Sequence, residues 1–174
     1  MVHAIRIHQT GGPEVMKWES VEVPAPGPGQ VRLKQHAVGV NYIDVYQRSG
    51  LYKLPLPFVA GSEGAGEVVA VGPGVSDFKV GDRGAYAGAA GGYAEERVMP
   101  ADRLVKLPDN IDYKTGAAMM LQGMTVRYLL RETYKVGKGI VKINVNHTYP
   151  LKDAVQAHRD LEARKTTGSI VLVP

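Results

Sequence analysis

The chain has 174 residues, which suits one domain with its own core and no covalent staples. At 44% hydrophobic and 22% charged residues it has the composition of an ordinary folded protein, and disorder is excluded. It has no cysteine, so disulfides and thiolate metal sites are excluded; its formal charge of +4 comes from scattered Lys and Arg with no basic stripe, which argues against nucleic-acid binding.

No apolar run reaches the length of a membrane span, and the opening MVHAIRIHQT alternates like a strand instead of carrying a signal-peptide core. A cytoplasmic location is the expectation, and the absence of cysteine suits it. Along the chain, strands are predicted around Ile5-Arg6-Ile7, over residues 18–23, and over residues 31–36, where apolar and polar residues alternate. Pro24, Pro26 and Pro28 mark a rigid connection. A short helix is predicted over residues 41–48, with Asn41 near its N-cap and Gly50 near its end. Further strands follow over residues 66–71, 93–99 and 104–106. Many short strands separated by Gly and Pro point to a closed or partly closed barrel.

From Asp112 to about Glu132, Ala117, Met120, Leu121, Met124 and Tyr128 recur at helical spacing. Met119, Val126, Leu129 and Leu130 make the opposite side apolar, so this helix expects cover on two sides. Residues 134–139 read as a tight exposed turn into a strand over 141–145. A second long helix is predicted from Leu151 to about Arg164, with Leu151, Ala154, Val155, His158 and Leu161 on one face. Pro150 suits its start, Asp153 its N-terminal dipole and Gly168 the exit, and residues 169–173 read as a final strand. The expected class is α+β, mainly β, with flanking helices.

Several motifs go beyond this pattern. The run from Val38 to Tyr52, VGVNYIDVYQRSGLY, resembles the signature of the zinc-independent NADPH:quinone oxidoreductases, zeta-crystallin-like members of the medium-chain dehydrogenase/reductase superfamily. Gly61-Ser62-Glu63-Gly64-Ala65-Gly66, Val80-Gly81-Asp82-Arg83, Leu121-Gln122-Gly123-Met124-Thr125, Tyr149-Pro150-Leu151-Lys152-Asp153-Ala154 and Arg164-Lys165-Thr166-Thr167-Gly168 resemble its further motifs, in order. The resemblance implies a GroES-like β-barrel, the catalytic domain of these enzymes. The zinc branch of the superfamily places Cys where Asn41 stands and His where Ser62 stands, so no catalytic zinc is expected. His3, His8, His36, His147 and His158 show no ligand spacing and read as surface or packing residues.

By the same resemblance, hydride passes from NADPH to a quinone in the intact family. Asn41, Asp44, Tyr46, Tyr52 and Gln122 would then line the reaction cleft. Tyr42, Thr125 and Arg164 would face the cofactor. Plainer roles stand beside these. Asn41 and Asp44 suit a helix cap, Tyr46 and Tyr52 half-buried packing, Thr125 a bond to its own helix, and Arg164 a helix C-terminus. Gln122, inside an apolar helix, would need hydrogen-bond partners if buried.

The resemblance also implies a nicotinamide-binding Rossmann domain, and no glycine-rich dinucleotide turn is legible. Gly64-Ala65-Gly66 is followed by Val69 where a third glycine belongs, Gly72-Pro73-Gly74 by Asp77, and Gly137-Lys138-Gly139 by Lys142. The expectation is therefore a single domain, residues 1–174, made of pieces 1–136 and 137–174 joined where the Rossmann domain would be inserted. Weak or no NADPH binding and little activity alone follow from that, with a quinone-like small molecule as the partner. An uncovered interdomain face would favour self-association. The alternative is a non-enzymatic β-barrel serving as scaffold or interaction module.

Overall fold

The computed structural model describes residues 1–88, 90–129 and 143–174. A three-stranded sheet opens the chain. In it β1 (Val2–Ile7) pairs antiparallel with β2 (Met16–Val21) on one edge and with β4 (Phe58–Val59) on the other. A seven-stranded sheet is built on the long β3 (Gln30–Val40). One edge of β3 is taken by β5 (Glu63–Val71); the other is shared by β7 (Glu96–Pro100) and β10 (Ser169–Val173). Beyond β5 lie β6 (Arg83–Ala87) and β8 (Val105–Lys106), and β9 (Val145–Pro150) runs parallel to β10. Among the described residues the strands do not close into one hydrogen-bonded ring, so of the two barrel forms expected the open one is found.

Residue size explains how the helices seat. Ala37, Ala65 and Ala85 on the sheet meet Ala117 and Ala118 of α2 (Tyr113–Tyr128), so the helix lies close against the strands. Its start is set by Asp112, whose carboxylate accepts the Thr115 N–H at 2.7 Å. Burial is confined to Gly116, Ala117 and Ala118, while Met124, Tyr128 and Leu129 are exposed. The cover expected on both sides is thus not supplied by the described residues. The predicted end of this helix near Glu132, the turn at 134–139, the proposed joint at 136–137 and Leu130 lie outside them.

Of the strand expected over 141–145, residues 141 and 142 lie outside the described residues; the strand that is described here is β9, from Val145. Its place is decided by parallel pairing with β10, from Val145 opposite Ser169 to Pro150 opposite Val173, a long-range partner that local pattern does not reveal. Two strands, β4 and β6, were not expected. The first has two residues, and the second reads Arg-Gly-Ala-Tyr-Ala, poor in β-branched residues. A 3₁₀ turn, Leu151–Asp153, leads into α3 (Ala154–Glu162). The helix ends in a Schellman arrangement, with Arg164 N–H bonded to Leu161 O at 3.0 Å and Lys165 N–H to Asp160 O at 2.9 Å. Ile5, Ile7, Val38 and Val40 share one core cluster with Leu151, Ala157, Ile170 and Leu172, so residues from both ends of the chain build the same interior.

Candidate functional site

The site is organised by α1 (Tyr42–Ser49). Asn41 is its N-cap, and the Asn41 N–H donates to Asp44 Oδ2 at 2.9 Å, the return half of a capping box. The helix stops at Gly50, whose φ of 88° is easy only for glycine. Between these ends Asp44 and Arg48 point inward, while Tyr42 and Tyr46 are exposed.

On the outer side three tyrosines gather. The Tyr42 and Tyr46 rings lie 6.1 Å apart, and those of Tyr46 and Tyr52 lie 5.4 Å apart, edge to face. The Tyr42 hydroxyl donates to Leu161 O at the end of α3, at 3.3 Å. Tyr42, Tyr46, Leu161, Arg164 and Thr166 line an open cavity of about 460 Å³. A larger groove, about 580 Å³, lies elsewhere, between Arg6, Glu22, Pro57 and Arg97. There Arg6 is already paired with Glu19 at 3.5 Å, and no residue expected at a site lines it.

On the inner side is a buried polar network. Asp44 accepts from Ser62 Oγ at 2.8 Å and from Tyr93 Oη at 3.0 Å. Tyr93 Oη also lies 3.0 Å from His158 Nε2. Asn41 Nδ2 donates to Glu63 Oε2 at 2.8 Å, and Glu63 Oε1 accepts the Leu121 N–H of α2 at 2.8 Å. Burial dominates the charges. It raises Asp44 to about 6 and Glu63 to about 7, against the hydrogen bonds that favour both carboxylates. It lowers His158 to about 3, with the Arg48 charge adding to the effect, and raises the Tyr93 hydroxyl. Arg48 is itself pinned by Gly11 O at 2.6 Å and by Glu162 at 2.7 Å.

The structure therefore brings Asn41, Asp44, Tyr42, Tyr46 and Tyr52 together but splits them between two faces. Asn41 and Asp44 are interior and do cap the helix, whereas the tyrosines meet solvent. Gln122 is exposed, so it has no buried amide to satisfy; its Oε1 lies 3.5 Å from the Ser169 hydroxyl. Thr125 donates to its own helix, to Leu121 O at 2.8 Å. Arg164 is exposed at the cavity, in the left-handed region at φ 55°. Glu63, Tyr93, Arg48 and His158 were given no role at the site from sequence. Glu63 and Arg48 stood in motifs that were quoted, His158 on the predicted face of the second long helix, and Tyr93 at the start of a predicted strand. Where the zinc branch has its ligands, Asn41 and Ser62 are hydrogen-bonded to Glu63 and Asp44. Among the described residues no group of three or more acidic or histidine side chains is placed to hold a metal.

Among the described residues, the groups that a dinucleotide's pyrophosphate would seek are already occupied. The helix N-termini, where a pyrophosphate would seek free N–H groups, carry carboxylates at or near the cap: Asp44 on α1, Asp112 on α2 and Asp153 on α3. Tyr42, Thr125 and Arg164 sit on three separate elements, and the Thr125 hydroxyl is bonded within its own helix.

Residues 27–109 match the alcohol dehydrogenase GroES-like domain. A quinone oxidoreductase of Pseudomonas aeruginosa is 51% identical over 141 residues, covering 80% of this chain and 43% of that protein. A 2-haloacrylate reductase of a Burkholderia species is 47% identical, covering 80% of this chain and 44% of its own length. The chain thus spans less than half the length of these relatives. A mycobacterial protein solved in complex with NADPH superposes with a TM-score of 0.93 at 26% identity, over 99% of this chain and 100% of that one. With the GroES-like fold, the motifs and these likenesses in agreement, the chain carries an alcohol dehydrogenase GroES-like domain and is a relative of the quinone oxidoreductases of the medium-chain dehydrogenase/reductase superfamily.

Proposed function

We propose that the chain is the substrate-side domain of an NADPH:quinone oxidoreductase and that it turns over little or nothing alone. The observation that carries this reading is the tyrosine cluster at α1 and the turn that follows it. Tyr46 stands between Tyr42 and Tyr52, beside an open cavity that Arg164 also lines. Aromatic faces at that spacing suit a flat, electron-poor ring, and a cation suits the negative charge that grows on a quinone oxygen during reduction. The relatives named for quinones support the same substrate class. The 2-haloacrylate reductase supports a wider one, of activated double bonds.

Residues 1–136 and 137–174 are taken as two pieces of one domain, with the Rossmann domain absent between them. Two observations support this. The C-terminal helix and strand complete the core that the N-terminal strands begin. The sequence match covers under half of each relative, whereas the mycobacterial superposition extends over nearly the whole of both chains. Without an oriented hydride donor the proximity contribution is lost, which in well-oriented systems reaches roughly 7–11 kcal/mol.

The test is a titration of the chain with 1,4-naphthoquinone, followed by aromatic NMR signals, together with an NADPH-oxidation assay and calorimetry with NADPH. Signals of Tyr42, Tyr46 and Tyr52 should shift while Trp18 stays still, and Tyr46→Ala should abolish the shift. NADPH should give no saturable heat below millimolar concentration and no turnover. Shifts confined to the groove near Arg6 and Pro57, or steady NADPH oxidation by the chain alone, would overturn the proposal.

A further inference from the structure

Glu63 stands at the start of β5, almost fully buried, and each carboxylate oxygen holds a different helix. Oε2 takes the side-chain amide of Asn41, the N-cap of α1. Oε1 takes the backbone N–H of Leu121, well inside α2. An N–H at that position has Ala117 O as its ordinary acceptor, so a carboxylate there enters the ladder of the helix. Space for the arrangement comes from Gly39 on the neighbouring strand. A Cβ at Gly39 would run into both the Ala117 carbonyl and the Glu63 carboxylate. Gln122 follows Leu121 directly, and Thr125 lies one turn on.

We propose that Glu63 is a positioning residue that fastens the part of α2 carrying Gln122 to the N-terminus of α1, setting the distance between the two helices. Its significance for a substrate rests on the reading of the tyrosines at α1 given above; the fastening itself does not. The bonds have a built-in sensitivity. An ionised carboxylate accepts from both donors, whereas a protonated one keeps full acceptor strength on one oxygen only. The titratable groups that face Glu63 are Asp44 of α1, which raises its pKa, and Tyr93. Its pairing partners on β3 and β6 are Gly39 and Ala87, and α2 presents the backbone of Met120 and Leu121. Burial raises the Glu63 pKa to about 7, against the bonds from Asn41 and Leu121, which favour the carboxylate.

The experiment follows backbone amides of the labelled chain from pH 5 to 9, with Val68 and Leu33 of the strands as references. The Leu121 amide should move with a midpoint near 7 in the unaltered chain and stay still in Glu63→Gln. Exchange at Leu121 and Gln122 in that variant should rise at least about tenfold more than at the references, as loss of a hydrogen bond to a charged group implies. If exchange rises equally at all these amides, Glu63 is only a core residue and the proposal fails. If Glu63→Gln does not fold, Glu63→Asp, which keeps the charge and shortens the reach, decides, because unchanged exchange at Leu121 and Gln122 relative to the references overturns the proposal. Neither result depends on quinone binding, so this failure and that of the functional reading are separate.

Discussion

Asp44 and Glu63 are two carboxylates in one buried network, and His158 is a neutral imidazole in the same interior. Their shifts have opposite consequences for stability. The carboxylates bind protons more tightly when folded, so their contribution is full below about pH 4 and is lost as pH rises through about 6 and 7. His158 binds its proton less tightly when folded. Its contribution is full above the ordinary histidine value of 6.5 and is lost as pH falls towards 3. Between pH 6 and 8 the Glu63 effect is the larger, and urea unfolding should show a fall of roughly 1 kcal/mol. In Glu63→Gln only the weaker Asp44 effect opposes His158, so the trend should flatten or reverse. Unfolding curves at pH 6 and 8 for both proteins check this, and equal slopes would contradict the assignment.

At the scale of elements, α3 ends at a cost. Its Schellman ending places Arg164 at φ 55°, a conformation that glycine adopts freely and that costs other residues about 1 kcal/mol. Arg164→Gly is therefore expected to raise stability by about 1 kcal/mol, read from the urea midpoint. If the guanidinium at the cavity holds a ligand's negative charge, the same variant should weaken 1,4-naphthoquinone binding while it stabilises the fold. A variant that is less stable would show that the Arg164 side chain has a structural role that its exposure hides. The start of α2 presents no such conflict, because Asp112 caps it in the ordinary way.

At the scale of the whole molecule, the open question is the far half of α2. Met124 and Tyr128 are more than half exposed, at 51% and 62%, and Leu129 is 39% exposed, while Tyr46 on α1 and Tyr52 just beyond it add aromatic surface. Exposed apolar surface, where it is contiguous, tends to find a partner. Concentration-dependent self-association is the expected outcome, and Leu129→Lys should weaken it without lowering the unfolding midpoint. Sedimentation velocity over a hundredfold range of concentration checks this; a strict monomer throughout would show that the surface is tolerated in water. Among the described residues no helix is long and apolar enough to cross a membrane.

What the sequence determined by itself was local or motif-borne. The start of a helix near Asp112, the stop at Gly50, the apolar face that Leu151, Ala154 and His158 share, and the final strand at 169–173 follow from periodicity and end residues, which act over a few positions. The motif from Val38 to Tyr52 gave the family. Tertiary structure alone decided the rest. β9 lies where β10 pairs with it, and β6 exists because β5 and β8 flank it, not because its residues favour a strand. The site divides in the same way. The three tyrosines were legible because Tyr42 and Tyr46 sit on one short helix and Tyr52 follows directly after it. The joining of Asn41, Asp44, Glu63, Tyr93 and His158 was not, since those residues are brought together from distant positions, and the burial that shifts their charges arises only when the strands and helices close over them.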